Sequence, residues 1–227
     1  MSSFILKIIA LTAMLIDHTG ILLYDVPELR IIGRIAFPIF VFLCAQGCAH
    51  TSDIKKYMAR LFIFAFISEI PFDLLMNIRR VRYYGMSGLA FFDWSGCNVF
   101  FTLLLGVTAV YLYERLKKID VFAAAFVVIP CAYAAYVINA DYRAAGVLAV
   151  FFTYLAPGKF LKAGVISALV LFLYKSSMPW LFGGLAAVLP LLFYNGKRGP
   201  GLKWWFYAAY PAHLAVLAVI GAVLYIG

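Results

Sequence analysis

Long apolar segments, separated by short polar connections, occupy most of the chain. A helix needs about 20 mostly apolar residues to cross the hydrocarbon of a bilayer, so segments of this length predict membrane spans. Backbone groups find no water there, and the alternating pattern of membrane strands is absent, so we expect helices. The predicted segments are residues 4–24, 31–50, 57–76, 97–116, 119–138, 143–156, 160–174, 179–194 and 204–226.

The composition agrees with this interpretation. Hydrophobic residues make up 66% of the chain and charged residues 13%, against about 45–50% and about 25% in soluble domains. We therefore predict an all-α polytopic transmembrane bundle that forms one domain over residues 1–227. The sixth to eighth segments are short, which leaves about eight or nine crossings open. The one long connection is residues 77–96.

The basic residues are expected to orient the bundle. Lys and Arg number 19 against 10 Asp and Glu, and most lie in the short connections between segments. In a soluble domain this balance would suggest nucleic acid, but between spans it predicts contact with anionic lipid and no nucleic-acid partner. More cations face the cytoplasm if the N-terminus is inside, so we expect that orientation.

Several ionisable residues lie within the apolar segments, where each costs about 2.5–3.5 kcal/mol on insertion scales. Such residues usually face the bundle interior or a water-filled cavity, and they are candidates for a functional site. They include Asp17, His18, Arg34, Glu69, Asp73 and His213. The four cysteines, by contrast, show no C-x-x-C spacing, so neither a disulfide framework nor a metal site is indicated.

The stretch AMLIDHTGIL places Asp17 beside His18. Neighbours on a helix point about 100° apart, so each residue is expected to have its own partner. Asp17 either pairs with Arg34 or belongs to a site, and His18 either bonds a backbone carbonyl or acts chemically. The alternative for Arg34 is that it snorkels to the interface. His213 follows Pro211, which frees a carbonyl that His213 or Tyr210 could satisfy.

Two carboxylates share one helix face in ISEIPFD, because Glu69 and Asp73 are four residues apart. They could share a proton, bind a cation or pair with Arg79 or Arg80. These alternatives remain open from the sequence.

A basic, glycine-rich stretch, YNGKRGPGLKWW, covers residues 194–205. Exposed backbone amides and cationic side chains suit phosphate groups. The alternative is an ordinary positive-inside loop with a tryptophan anchor.

Several stretches together resemble the TraX family of membrane proteins. They are, in order, LKIIALTAMLIDHTG, IGRIAFPIFVFLCAQG, KKYMARLFIFAFISEIPFDL, NVFFTLLLG, ADYRAAGVL, YNGKRG and FYAAYPAHL. The resemblance runs from about residue 6 to about residue 216 and includes two departures: Gln46 stands where AEG is usual, and an expected glutamine is absent near MPWLFGG. It implies a protein of the bacterial cytoplasmic membrane that transfers acetyl groups, as related transmembrane acyltransferases do.

The resemblance further implies which residues act. Acetyl-coenzyme A would be the co-substrate, without a metal, and the acceptor an unknown peptide or small molecule carrying an amine or hydroxyl. His18 matches the histidine regarded as catalytic in that wider group and is expected to act as general base. Asp17 or Glu69 would fix its tautomer, and Arg34 or Asn98 would stabilise negative charge on the thioester oxygen. Asp73 and His213 complete the candidate catalytic set.

Phosphates of coenzyme A cannot enter hydrocarbon, so the co-substrate requires a basic cytoplasmic mouth. Candidates for binding it are Lys197, Arg198, Lys203, Asn195 and Tyr210, with Lys55 and Lys56 in reserve.

Two other classes of function compete with this hypothesis. A small secondary transporter would use Glu69 and Asp73 as its ion or proton site, beside a helix interrupted by Pro71. An assembly factor for another membrane protein would use its buried charges only for pairing and would not bind coenzyme A.

Overall fold

The computed structural model describes residues 1–23, 26–84 and 96–225. Every regular element in these ranges is an α-helix, which confirms the predicted all-α membrane bundle. Each predicted segment is formed by one helix or by a consecutive pair. The helices are α1 (Ser3–Leu22), α2 (Pro27–Gly33), α3 (Ala36–His50), α4 (Ile54–Tyr84), α5 (Val99–Leu116), α6 (Val121–Ala125), α7 (Val128–Val137), α8 (Arg143–Leu155), α9 (Gly158–Tyr174), α10 (Met178–Leu185), α11 (Val188–Leu192) and α12 (Lys203–Tyr225).

Within the described ranges, five helical segments are long and apolar enough to cross a membrane. They are Ser3–Leu22, Pro27–His50, Ile54–Arg82, Val99–Leu116 and Lys203–Tyr225. Large apolar side chains such as Phe62, Ile63 and Phe122 point outward from the bundle. A surface of this kind is stable against lipid and unfavourable in water.

Prolines determine where three of the apolar segments break into helix pairs. The third residue is a proline in each of the second helices: Pro38 in α3, Pro130 in α7 and Pro190 in α11. A proline has no N–H for the carbonyl four residues earlier and its ring clashes with that carbonyl. Those carbonyls belong to Arg34, Phe126 and Ala186, which are the C-caps of α2, α6 and α10.

Helix α4 extends further than the sequence predicts. The third predicted segment ends at residue 76, whereas α4 continues to Tyr84, so the first part of the predicted long connection is helical. Arg82 donates to the Leu22 carbonyl at the end of α1 and lies 3.6 Å from the centre of the Tyr225 ring. These contacts stabilise the last turns of α4. Residues 85–95 of the predicted connection lie outside the described residues.

Glycines allow helices to pack closely around the core formed by α3, α5 and α8. A Cβ atom built on Gly146 of α8 would lie 2.4 Å from the Thr102 side chain of α5 and 3.0 Å from Phe37 of α3. Phe37 in turn stacks on Tyr142, with ring centres 3.5 Å apart. Small residues at such contacts are typical of membrane bundles, because close backbone approach increases the packing between helices.

We expect Gly146→Ala to lower the free energy of unfolding by about 1–3 kcal/mol, since the added methyl group overpacks the three-helix contact. Gly164→Ala is the matched control, because Gly164 also lies in a helix and a Cβ there would meet nothing within 4 Å. The measurement is thermal unfolding of both variants in one detergent. Equal melting temperatures for the two variants would contradict this account of the packing.

Candidate functional site

A cavity of about 580 Å³ opens at one end of the bundle between α1, α3, α4, α5 and α12. Cations surround its mouth, and Asp53 is the one acidic side chain among the described lining residues. This imbalance of charge suits a polyanionic ligand. The lining cations are Lys7, Lys56, Arg60, Arg198 and Lys203.

The cavity becomes apolar and aromatic toward its inner end. Lys203 at the mouth and Tyr210 both belong to α12, and a helical rise of about 1.5 Å per residue places them about 10 Å apart along the axis. Tyr210 meets Phe100 of α5 edge to face, with ring centres 5.0 Å apart, and both rings line the cavity. Met14 of α1 lines it beside them. The arrangement therefore separates a charged outer part from an apolar inner part.

His18 and His213 form a hydrogen-bonded pair next to Tyr210. His18 Nδ1 lies 2.7 Å from His213 Nε2, and the two rings stack with their centres 5.0 Å apart. The centre of the Tyr210 ring is 6.4 Å from that of His18 and 5.5 Å from that of His213. The histidine pair thus lies one aromatic ring from the inner end of the cavity.

A backbone carbonyl sets the tautomer of both histidines. His213 Nδ1 lies 2.9 Å from the Ala209 carbonyl oxygen, which can only accept, so His213 Nδ1 carries the hydrogen. For a neutral ring, His213 Nε2 is then the acceptor, and His18 Nδ1 must donate to it. His18 Nε2 consequently holds a free lone pair. This is the atom that a general base uses to take a proton.

Asp17 is directed away from this pair and toward two arginines. Its Oδ1 lies 2.5 Å from Arg34 Nη2 and 3.4 Å from Arg30 Nε. Arg34 is only 7% exposed, donates from Nε to the Arg30 carbonyl, and lies 4.9 Å from the Trp180 ring centre. The predicted pairing of Asp17 with Arg34 is present, and the snorkelling alternative for Arg34 is wrong. His213 thus has the tautomer-fixing position that the sequence analysis gave to Asp17 or Glu69.

Asn98 uses its polar groups inside the protein. Its Nδ2 donates to Glu69 Oε2 and, at 2.8 Å, to the Ala65 carbonyl, while its Oδ1 accepts from the Phe100 N–H at 3.0 Å. Both amide hydrogens are therefore occupied, which leaves none for a thioester oxygen. Glu69 and Asp73 are 1% and 2% exposed, respectively, and neither lines the cavity.

The predicted phosphate-binding residues divide into two groups. Arg198, Lys203, Tyr210 and the reserve residue Lys56 line the cavity, whereas Asn195, Lys197 and Lys55 are not among its described lining residues.

The basic loop, which includes Arg198, pairs with the N-terminal residues through its backbone, and the Arg198 carbonyl accepts from the Phe4 N–H at 3.1 Å. The Asn195 N–H donates to the Met1 carbonyl at 3.0 Å, and the Lys197 carbonyl accepts from the Ser3 N–H at 2.8 Å. This pairing holds the basic loop against the start of α1.

Lys7 and Arg60 line the cavity, although neither was predicted as a site residue. Both are cations inside predicted apolar helices, which is the same signal that drew attention to Arg34. Arg60 also lies four residues after Lys56 and shares its helix face. The neutral Gln46 lines the cavity as well.

We expect Asp17→Asn to lower the free energy of unfolding by about 3–5 kcal/mol, because it leaves the Arg34 charge buried without a counter-charge. Glu114→Gln is the control, since the partly exposed pair of Glu114 and Lys117 contributes at most about 1 kcal/mol. Titration with SDS in mixed micelles measures both. An Asp17→Asn variant as stable as the control would show that the buried pair is unimportant.

Comparison with known proteins extends over nearly all of the chain. Residues 2–221 match the TraX protein family. A probable fimbrial assembly protein of Dichelobacter nodosus, FimC of serogroup H1, is 30% identical over 244 residues, which cover 95% of this chain and 94% of the relative. No solved structure matches the chain. The extent of the family match and of this relative shows that the chain belongs to the TraX family.

Proposed function

We propose that this TraX-family protein is a membrane acetyltransferase. It moves an acetyl group from cytoplasmic acetyl-coenzyme A to an amine or hydroxyl at the membrane or its outer side, with His18 as general base. The observation that carries the proposal is the cavity with a cationic mouth whose inner end lies one ring from the histidine pair.

The cavity suits the chemical form of coenzyme A. This molecule carries anionic phosphates at one end and its thioester at the end of a slender arm. Lys56, Arg60 and Arg198 would bind the phosphates by charge-assisted hydrogen bonds. The apolar inner part would receive the arm, so that the thioester points toward Tyr210 and the histidines. The predicted orientation puts this mouth in the cytoplasm of a bacterial cell.

The histidine pair supports proton transfer during the reaction. His18 Nε2 takes the proton as the acceptor nitrogen or oxygen bonds to the thioester carbon. The carbon–sulfur bond then breaks, and the departing thiolate receives that proton. A positioned base of this kind typically contributes about 10²- to 10⁴-fold to the rate. The bond from His18 Nδ1 to His213 fixes the ring and stabilises the imidazolium as it forms.

The acceptor is proposed to be an amine, with a peptide N-terminus as the leading candidate. The relative from Dichelobacter nodosus is named as a probable fimbrial assembly protein, and this supports a subunit of a surface fibre as the acceptor class. A small-molecule amine or hydroxyl would satisfy the same chemistry.

The transporter alternative has less support. Glu69 and Asp73 are buried and do not line the cavity, and Glu69 is held by Asn98. An ion site there would lack a described route to the cationic mouth.

We expect His18→Ala to lower the rate of acetyl transfer about 10²- to 10⁴-fold, because the proton acceptor is lost. Binding of acetyl-coenzyme A should persist, and a ligand at about 100 times its Kd should still stabilise the variant by roughly 2.7 kcal/mol. Transfer of labelled acetyl groups and thermal shift measure the two effects. Unchanged transfer would refute the general-base assignment, and the absence of ligand-induced stabilisation in the wild type would favour an assembly factor.

Reversing one charge at the mouth should weaken the binding of acetyl-coenzyme A. We expect Arg198→Glu to raise the Kd for acetyl-coenzyme A at least about tenfold, equivalent to about 1.4 kcal/mol. The Kd of this variant should also depend less on the salt concentration. Lys118→Glu makes the same charge change at an exposed position outside the cavity and is the control. Isothermal titration at two salt concentrations checks this, and equal Kd values for both variants would exclude the mouth as the phosphate site.

A further inference from the structure

A tyrosine hydroxyl lies where the cavity meets the histidine pair. Tyr210 is 4% exposed, lines the cavity, and contacts the rings of Phe100, His18 and His213. It precedes His213 by three residues, so both side chains lie on the same side of α12. Tyr210 therefore contacts both the cavity and the histidine pair.

The start of α5 packs against Tyr210. The first N–H groups of a helix have no partner within the helix and need other acceptors. Here the Asn98 N–H donates to Glu69 Oε2 at 3.2 Å, the Phe100 N–H to Asn98 Oδ1, and the Phe101 N–H to the Asn98 carbonyl. Val99, the first residue of α5, lines the cavity, and the neighbouring Phe100 ring meets Tyr210 edge to face.

This position suits the phenol to donate. Its ring packs against Phe100 at the N-terminal end of an 18-residue helix, where the helix dipole favours negative charge. Within the described part of the chain the phenolic hydrogen has no acceptor of its own, so it is available to a molecule in the cavity. A buried donor aimed at a reacting carbonyl is how enzymes stabilise an oxyanion.

Other donors near the cavity are already engaged. Asn98 has used both amide hydrogens, and Arg34 is held by Asp17 and the Arg30 carbonyl. The Tyr57 hydroxyl donates to Cys44 Sγ at 3.4 Å. Tyr210 is a further donor that lines the cavity and also contacts both histidine rings.

We propose that Tyr210 is a catalytic residue whose phenolic hydrogen bonds to the thioester carbonyl oxygen of the acyl donor. The inference rests on the proposed acetyltransferase function. As the acceptor lone pair forms the new bond to carbon, the carbonyl π electrons move to oxygen and strengthen this hydrogen bond. The carbonyl then re-forms and expels the thiolate of coenzyme A, which is protonated from His18. Tyr210 keeps its proton throughout.

The test is Tyr210→Phe, which keeps the ring that packs against Phe100 and removes only the hydroxyl. We expect kcat to fall about 10²- to 10³-fold, as for the loss of one oxyanion donor. KM for acetyl-coenzyme A should rise by no more than about fivefold, because the lost interaction is strongest in the transition state. Tyr113→Phe is the control, since Tyr113 lies on α5 away from the cavity. Unchanged kcat in Tyr210→Phe would overturn the proposal.

A binding measurement separates this inference from the proposed function. S-ethyl-coenzyme A has the shape of acetyl-coenzyme A without its carbonyl oxygen. The wild type should bind acetyl-coenzyme A about fivefold more tightly than S-ethyl-coenzyme A, and Tyr210→Phe should lose that preference. If the variant keeps the preference while the wild type transfers acetyl groups, Tyr210 is not the donor and the acetyltransferase proposal survives. If the wild type binds neither compound, the proposed function itself fails.

Discussion

The hydrogen bond between His18 and His213 joins the first helix of the bundle to the last. These residues are 195 positions apart, yet their ring nitrogens lie 2.7 Å from each other. The geometry follows from α12 presenting His213 toward α1 and from the Ala209 carbonyl holding the second ring. In an apolar interior, each ring nitrogen that carries a hydrogen needs an acceptor, and this chain of bonds supplies one for both. Of the four ring nitrogens, His18 Nε2 alone has no partner in this chain of bonds, and it carries a lone pair.

The other ionisable residues of the interior follow the same requirement. Asp17 neutralises Arg34 where α1 meets the break between α2 and α3, and Glu69 accepts hydrogen bonds at the start of α5. Lys162 donates at 2.7 Å to the Thr153 carbonyl near the end of α8. Each buried polar group that is satisfied in this way ties two helices together. Five further cations, Lys7, Lys56, Arg60, Arg198 and Lys203, line the cavity, and this excess of positive charge makes the cavity the candidate site.

Much of the fold is predictable because apolar length and proline position act locally. The apolar segments match helices, and the breaks within them fall four residues before Pro38, Pro130 and Pro190. The pairing of Asp17 with Arg34 is also predictable, since two opposite charges in neighbouring spans have few other partners. The end of α4 could not be predicted, because Arg82 is held by Leu22 and Tyr225 from distant parts of the chain.

The site is only partly predictable for the same reason. His18 and His213 each stand out as buried histidines, but nothing local indicates that they meet, so the tautomer of His18 follows only from the structure. Asn98 has the chemistry of an oxyanion donor, yet both of its amide hydrogens are taken by Glu69 and the Ala65 carbonyl, partners that sequence spacing does not reveal. Lys197 and Arg198 are adjacent and equally basic, and the carbonyls of both accept from the start of α1, so only the folded structure shows that Arg198 lines the cavity.

In the proposed reaction, one cavity brings an acyl thioester from the cationic mouth to the histidine pair. The most direct measurement is an electron cryo-microscopy structure with a non-hydrolysable analogue of acetyl-coenzyme A. The account predicts phosphate density beside Arg60 and Arg198, and the carbonyl group of the analogue beyond Phe100, between Tyr210 and His18. An analogue bound elsewhere, or one whose carbonyl stops at the mouth, would contradict the account.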